Sequence, residues 1–142
     1  MSPSAAAEKG AFERMKADAQ LLALLAAGAA SIVPGFPHDV LKESECPRIT
    51  FYVFGPPRFA RDIEQVRLSA DLWVWPAGTN GGRGRLLEID GRLCELFDVD
   101  GFTHAGHWIV PRVGGFRDFQ AGPNEPMRRL REIVLDVAKT AA

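Results

Sequence analysis

Hydrophobic and polar residues alternate most cleanly between Gln65 and Pro76, where the chain reads Gln-Val-Arg-Leu-Ser-Ala-Asp-Leu-Trp-Val-Trp-Pro. As a strand, this stretch has one apolar face of Val66, Leu68, Ala70, Leu72 and Val74. Its other face holds Arg67, Ser69, Asp71, Trp73 and Trp75. The first face packs a core. The second starts polar and ends in two tryptophans, which an isolated domain seldom leaves in water. Either a second layer of the same chain covers them or another subunit does.

Around that strand the pattern changes period. From about Ala5 to Ala27 strong helix formers dominate, and Phe12, Met15, Ala19, Leu22 and Ala26 recur at helical spacing. Gly28 is a natural stop, Gly10 weakens the first turns, and residues 1–4 read as a loose tail. A proline-bearing connection, Ile32 to Pro47, has room for a short edge strand near Val40. Ile49 to Phe54 is β-branched and aromatic on both faces, so it reads as a central strand, ended by Gly55-Pro56-Pro57. Arg58 to Glu64 then forms a long hairpin arm leading into the tryptophan strand.

After Pro76, Gly78 to Arg85 reads as a flexible link. A second helix is predicted from about Arg85 to Phe97, with Leu86, Ile89, Leu93, Leu96 and Phe97 on one face. Asp90-Gly91 argues against it, because the pair is also a hairpin signal. Asp98 to Gly101 is a turn, and Trp108–Val113 and Phe116–Gln120 are short strands around Gly114-Gly115. Residues 127–138 fit both templates. Met127, Leu130, Ile133, Val134, Val137 and Ala138 cluster on a helical wheel, whereas Arg131, Ile133, Leu135 and Val137 alternate as in a strand. Periodicity slightly favours the helix. The whole predicts an α+β fold in which a mixed or antiparallel β-sheet is packed by two helices, an N-terminal one and one near 85–97.

Composition sharpens this little. The 142 residues suit one domain, 1–142, with a single core, and the 46% hydrophobic and 25% charged fractions are ordinary for a globular chain. A net charge of -1 gives no overall pull toward nucleic acid or anionic membrane. The apolar run near Leu21–Leu25 falls short of the ~20 residues of a membrane span, and Glu8, Glu13 and Asp18 spoil a signal peptide. The expectation is a soluble protein made in the cytoplasm, without membrane contact.

Candidate chemistry is sparse. The glycine-rich link matches neither dinucleotide nor phosphate-loop spacing. His104 and His107 stand three apart with Asp98 and Asp100 nearby, but a metal site needs further ligands, and packing or surface histidines are the simpler reading. Cys46 and Cys94 sit in no cluster and read as free thiols. No Gly-x-Ser-x-Gly elbow is present, and pairs such as Glu43 with Glu45 are commonplace in turns. No catalytic, metal or cofactor residue is therefore predicted. Arg112, Arg117, Arg128, Arg129 and Arg131 give the C-terminal third a basic flavour, and interspersed acids make a solvated face or intersubunit ion pairs the default over a DNA groove.

The order of elements resembles the tail-terminator, or tail-completion, family of long-tailed bacteriophages and gene-transfer agents. The elements that carry it are the Leu/Ala-rich first helix, the strand Pro47-Arg-Ile-Thr-Phe-Tyr-Val-Phe54, and the arm leading to Val66–Trp75. The glycine-containing break, the amphipathic Leu86–Phe97 segment, Phe116-Arg-Asp-Phe119 and Arg131–Val137 complete it. The match covers about residues 10–138 and departs from the family pattern in the long Asp98–His107 segment.

The resemblance implies a non-enzymatic virion subunit that forms a ring, commonly a hexamer, at the head-proximal end of the tail tube. Such a ring ends tube polymerisation, meets head-closure or connector proteins, and passes genomic DNA through its lumen without reading sequence. It also implies that residues 127–138 are a strand. Ring closure uses heterologous contacts, which favour apolar anchors and reaching arms. Trp73 and Trp75 are the candidate anchors, with Arg58 and Arg61 on the arm and Arg83 and Arg85 on the link as candidate interface residues. Rival readings are another neck or tail-tube subunit, or a small α+β enzyme or ligand-binding domain built on residues 98–107.

Overall fold

Helix at the N-terminus starts earlier and stops sooner than the sequence pattern predicts. A computed structural model describes residues 1–119, 122 and 124–140 and places α1 at Pro3–Lys16. The Ser2 hydroxyl accepts the Ala5 N–H at 3.2 Å, and Pro3 occupies the first turn, where a missing N–H costs nothing. Residues 1–4 are thus a capped helix start rather than a loose tail. The helix does not continue to Ala27. Asp18 leaves helical geometry to cap α2 (Ala19–Leu22) through the Leu21 N–H at 2.9 Å, and it also takes two bonds from the Arg92 guanidinium. An aspartate offered two such partners competes with the helix it interrupts.

Strands β1 (Ile32–Pro34), β2 (Arg48–Val53), β3 (Arg58–Ala60) and β4 (Ile63–Val74) precede α3 (Gly82–Leu96). Strands β5 (Phe102–His104), β6 (His107–Phe119) and β7 (Met127–Lys139) follow it. Among the described residues these strands form one sheet in the order β1-β2-β4-β7-β6-β5, with β3 also paired to β4. Only β1 and β2 run parallel, so the fold is α+β with a mixed, largely antiparallel sheet. The edge strand expected near Val40 lies instead at β1, and Val40 is exposed in the connection.

Both long helices lie on one face of the sheet. The predicted apolar set Val66, Leu68, Ala70, Leu72 and Val74 faces them and is fully buried. Ala7, Ala11 and Met15 of α1, and Leu86, Ile89 and Leu93 of α3 with Phe97 just beyond it, join the same core cluster. Gly10 does more than weaken the helix. A Cβ there would lie 3.0 Å from the His104 Cβ and 3.1 Å from Ile109 Cδ1, so glycine lets α1 approach β5 and β6. On the helix-free face run Thr50 and Tyr52 of β2, Asp71 and Trp73 of β4, and Arg128 and Leu130 of β7, as their register requires.

Residues 127–139 are a strand, and β7 sits in the middle of the sheet between β4 and β6. The two short strands predicted around Gly114-Gly115 are one strand, β6, with a register shift between Val113 and Phe116. Gln120, the predicted end of the second, lies outside the described residues. The hairpin signal at Asp90-Gly91 is overridden, because α3 continues through it and buries Asp90.

Candidate subunit interface

The candidate interface residues gather at the two ends of β4. At the Val74 end, the Trp73 indole N–H donates to the Thr50 hydroxyl at 2.8 Å. Its ring meets Phe36 edge-on, with centroids 5.5 Å apart. Phe36 arrives from the 35–41 connection, so Trp73 is half-buried under a loop rather than under a helix. Arg128 lies against the rings of Phe36, Trp73 and Phe119 at 4.3 to 5.4 Å, and its Nε–H donates to Asp71 at 3.1 Å. These groups border a cleft of about 320 Å³ whose lining also includes Asp39 and Glu125.

Trp75 lies just past β4 and lines a larger cavity of about 710 Å³ with Arg83, Leu86, Phe119 and Met127. The segment next to it, predicted as a flexible link, is a built turn. The Gly82 N–H donates to the Trp75 carbonyl at 2.7 Å and the Gly81 N–H to the Gly78 carbonyl at 3.2 Å. A Cβ on Gly81 would fall 2.3 Å from the Ala77 carbonyl oxygen, which only glycine avoids. Residues 82–85 consequently belong to α3. Arg83 reaches Asp118 at 3.7 Å, and Arg85 is half-buried on the helix.

At the other end, Arg58 and Arg61 are exposed on the β3–β4 hairpin. Ala60 pairs with Ile63, so Arg61 and Asp62 form a two-residue turn, with Arg61 at φ 56°. The structure therefore does not bring the six residues into one patch. Trp73, Trp75 and Arg83 share one end, Arg58 and Arg61 the other, and Arg85 sits half-buried on α3.

The largest electrostatic feature is one that the sequence pattern conceals. Arg129 and Arg131 are not on a solvated face. They point to the helix side, 3% and 9% exposed, and converge on Asp90 of α3, itself 5% exposed. Arg131 Nε–H donates to Asp90 Oδ1 at 2.8 Å and Arg129 to Oδ2 at 2.8 Å. Arg129 also makes a two-point contact with Asp118 at 2.7 and 2.9 Å. Arg131 donates to the Gly114 carbonyl at 2.9 Å, and the Phe116 ring lies over both guanidinium groups. Burial alone would raise the Asp90 pKa, but the bonds from Arg131 and Arg129 outweigh it and hold the carboxyl below its ordinary value. Asp118 is lowered chiefly by its bond from Arg129.

Asp71 behaves oppositely. It is fully buried on the helix-free face, its Oδ2 has no hydrogen-bond partner, and desolvation raises its pKa against the pull of Arg128. Arg112 pairs at the surface with Asp136 at 3.4 Å. His104 and His107 flank the Ala105-Gly106 turn between β5 and β6, and His107 Nδ1 lies 2.9 Å from the Ala105 carbonyl. Among the described residues no group of three or more His, Cys, Asp or Glu side chains is arranged to hold a metal. Cys46 and Cys94 are free, and burial pushes the Cys46 thiol up to about 11. Among the described residues no helix is long and apolar enough to cross a membrane. No protein-family model matches the chain, and no curated protein matches it either.

Proposed function

We propose that this chain is a structural virion subunit, the tail terminator of a long-tailed phage or gene-transfer agent. In this role identical copies close into a ring at the head-proximal end of the tail tube, stop its growth and present a docking surface to the head connector. The observation that supports the reading is the placement of uncovered contact groups at opposite ends of one long strand. The hairpin tip exposes Phe59 and Ile63, and the far end opens cavities beside Trp73 and Trp75. A subunit that joins unlike surfaces head to tail is the kind that closes into a ring.

Two measurements test the proposal. Native mass spectrometry should give one discrete ring species, with six copies expected, and Trp75→Ala should deplete that species while leaving the monomer folded. Particles assembled without this gene product should carry tails of uncontrolled length. Tails of normal length in its absence would refute the terminator role. A second reading, another neck or tail-tube subunit, rests on the same surfaces, and locating the chain in a particle by electron microscopy separates the two.

A further inference from the structure

We propose that the β3–β4 hairpin tip of one copy of this chain seats in the aromatic cleft beside Phe36 of a second copy. Phe59 enters the cleft, and Arg58 and Arg61 meet the acidic rim formed by Asp39 and Glu125. The proposal names the contact that would close the ring and so rests on the ring reading above.

The tip is shaped as a plug. Phe59 is 73% exposed and Ile63 46% exposed, large apolar side chains offered to water from the strands that flank the Arg61–Asp62 turn. Register pairs Arg58 with Gln65 and Phe59 with Glu64, and the Glu64 carboxylate accepts the Ser4 hydroxyl of α1 at 2.9 Å. The plug is therefore held in place before any partner arrives, which lowers the ordering cost of docking. Arg58 and Arg61 have no ion-pair partner among the described residues, so with Asp62 the exposed charges of the tip sum to about +1 at neutral pH, Glu64 being buried against α1.

The cleft is complementary in shape and in sign. Phe36, Trp73 and Phe119 wall a volume of about 320 Å³, room for one aromatic side chain. The Arg128 beside it already has Asp71 as its counter-charge, so it does not repel a basic visitor as a bare cation would. Asp39 and Glu125 have no ion-pair partner among the described residues and leave the rim negative. Aromatic walls with an arginine-bearing plug are the composition favoured at the centre of an interface.

The match of charge between tip and rim makes another copy the occupant. Tip and cleft stand at opposite ends of β4, whose 12 residues span about 40 Å as a strand, so a subunit's own tip cannot reach its own cleft. The contact joins unlike surfaces, the arrangement that generates rings or filaments.

A charge exchange tests this without requiring a buried change. Arg58→Glu with Arg61→Glu makes the plug acidic, and Asp39→Arg with Glu125→Arg makes the rim basic. Each double variant alone should remain folded by circular dichroism and run as a monomer in native mass spectrometry, where the wild type is assembled. Mixed in equal amounts, the two should recover an assembly of alternating copies, because every plug then faces a rim of opposite sign. Phe59→Ala should weaken assembly at least about tenfold, while Leu87→Ala, an exposed apolar residue on α3, should not. Variants that assemble like the wild type, or a mixture that fails to recover, would overturn the plug-and-cleft contact and leave the ring reading standing. A wild type that stays monomeric at every concentration and on isolated tails would remove both.

Discussion

Replacing Asp90 by asparagine is the sharpest perturbation the fold allows, because shape is kept and one buried charge is removed. In the wild type, Asp90 accepts one bond from Arg129 and two from Arg131, at positions almost closed to water. Arg129 would keep its two-point contact with Asp118, whereas Arg131 would keep only neutral acceptors, the amide oxygen of the new side chain and the Gly114 carbonyl, and would lose its charged partner. Breaking a buried ion pair from one side typically costs ~3–5 kcal/mol, and the retained Asp118 places this case toward the lower figure. Against a total stability of ~5–15 kcal/mol for a domain, that is a large share. With a urea slope of ~2 kcal/mol/M, the midpoint should fall by roughly 1.5 M at an unchanged slope.

The pH dependence of Asp90 has a definite sign. Its folded pKa lies below the unfolded value, so its contribution is present above about pH 4 and is lost as pH falls through the folded pKa. The difference between wild type and Asp90→Asn should shrink in that acid window. A triple variant combining Asp90→Leu, Arg129→Met and Arg131→Met should recover most of the loss, since well-packed apolar groups often replace a buried ionic cluster without cost. A loss under ~1 kcal/mol for Asp90→Asn at pH 7 would refute the assignment of the cluster as buried and mutually satisfied.

Two further predictions concern single positions. Gly10→Ala should lower the melting temperature by a few degrees despite alanine's better helix propensity, because the new methyl meets His104 and Ile109; calorimetry showing stabilisation would refute the close approach. Asp71, whose folded pKa is raised by burial, contributes its favourable part below its unfolded pKa and loses it as pH rises through the folded one, so stability curves of wild type and Asp71→Asn should diverge with rising pH, to the disadvantage of the wild type. Parallel curves from pH 4 to 8 would show that the carboxyl is not desolvated.

Much of the scaffold was legible because its signals are local. The alternation of Val66 to Val74 and the helical face of Leu86, Ile89, Leu93 and Phe97 both survive, since apolar side chains at those periods have one way to be buried. The wheel of residues 127–138 misleads for a physical reason. The core-facing set of β7 is Arg129, Arg131, Ile133, Leu135 and Val137, and two of its five members are charged. Charge at core positions breaks the period of two that marks a strand, and only the distant Asp90 explains it. The single pointer in the chain was Asp90 itself, a carboxylate between Ile89 and Leu93 on the buried side of a helix. The break of α1 was hidden in the same way, because the Arg92 that holds Asp18 lies 74 residues away. The two ends of the candidate interface were legible as residue types, but their separation along β4 depends on the sheet.

The central place of β7 has a consequence for biogenesis. This segment is synthesised after both strands that it must join, and its partnership with β4 links Arg67 to Glu132 across 65 positions of chain. Until it is synthesised, β4 and β6 have no strand to join them, so the sheet cannot be completed. Such topology folds slowly and late. Loss of the last strand would therefore cut the sheet through its middle rather than trim its edge.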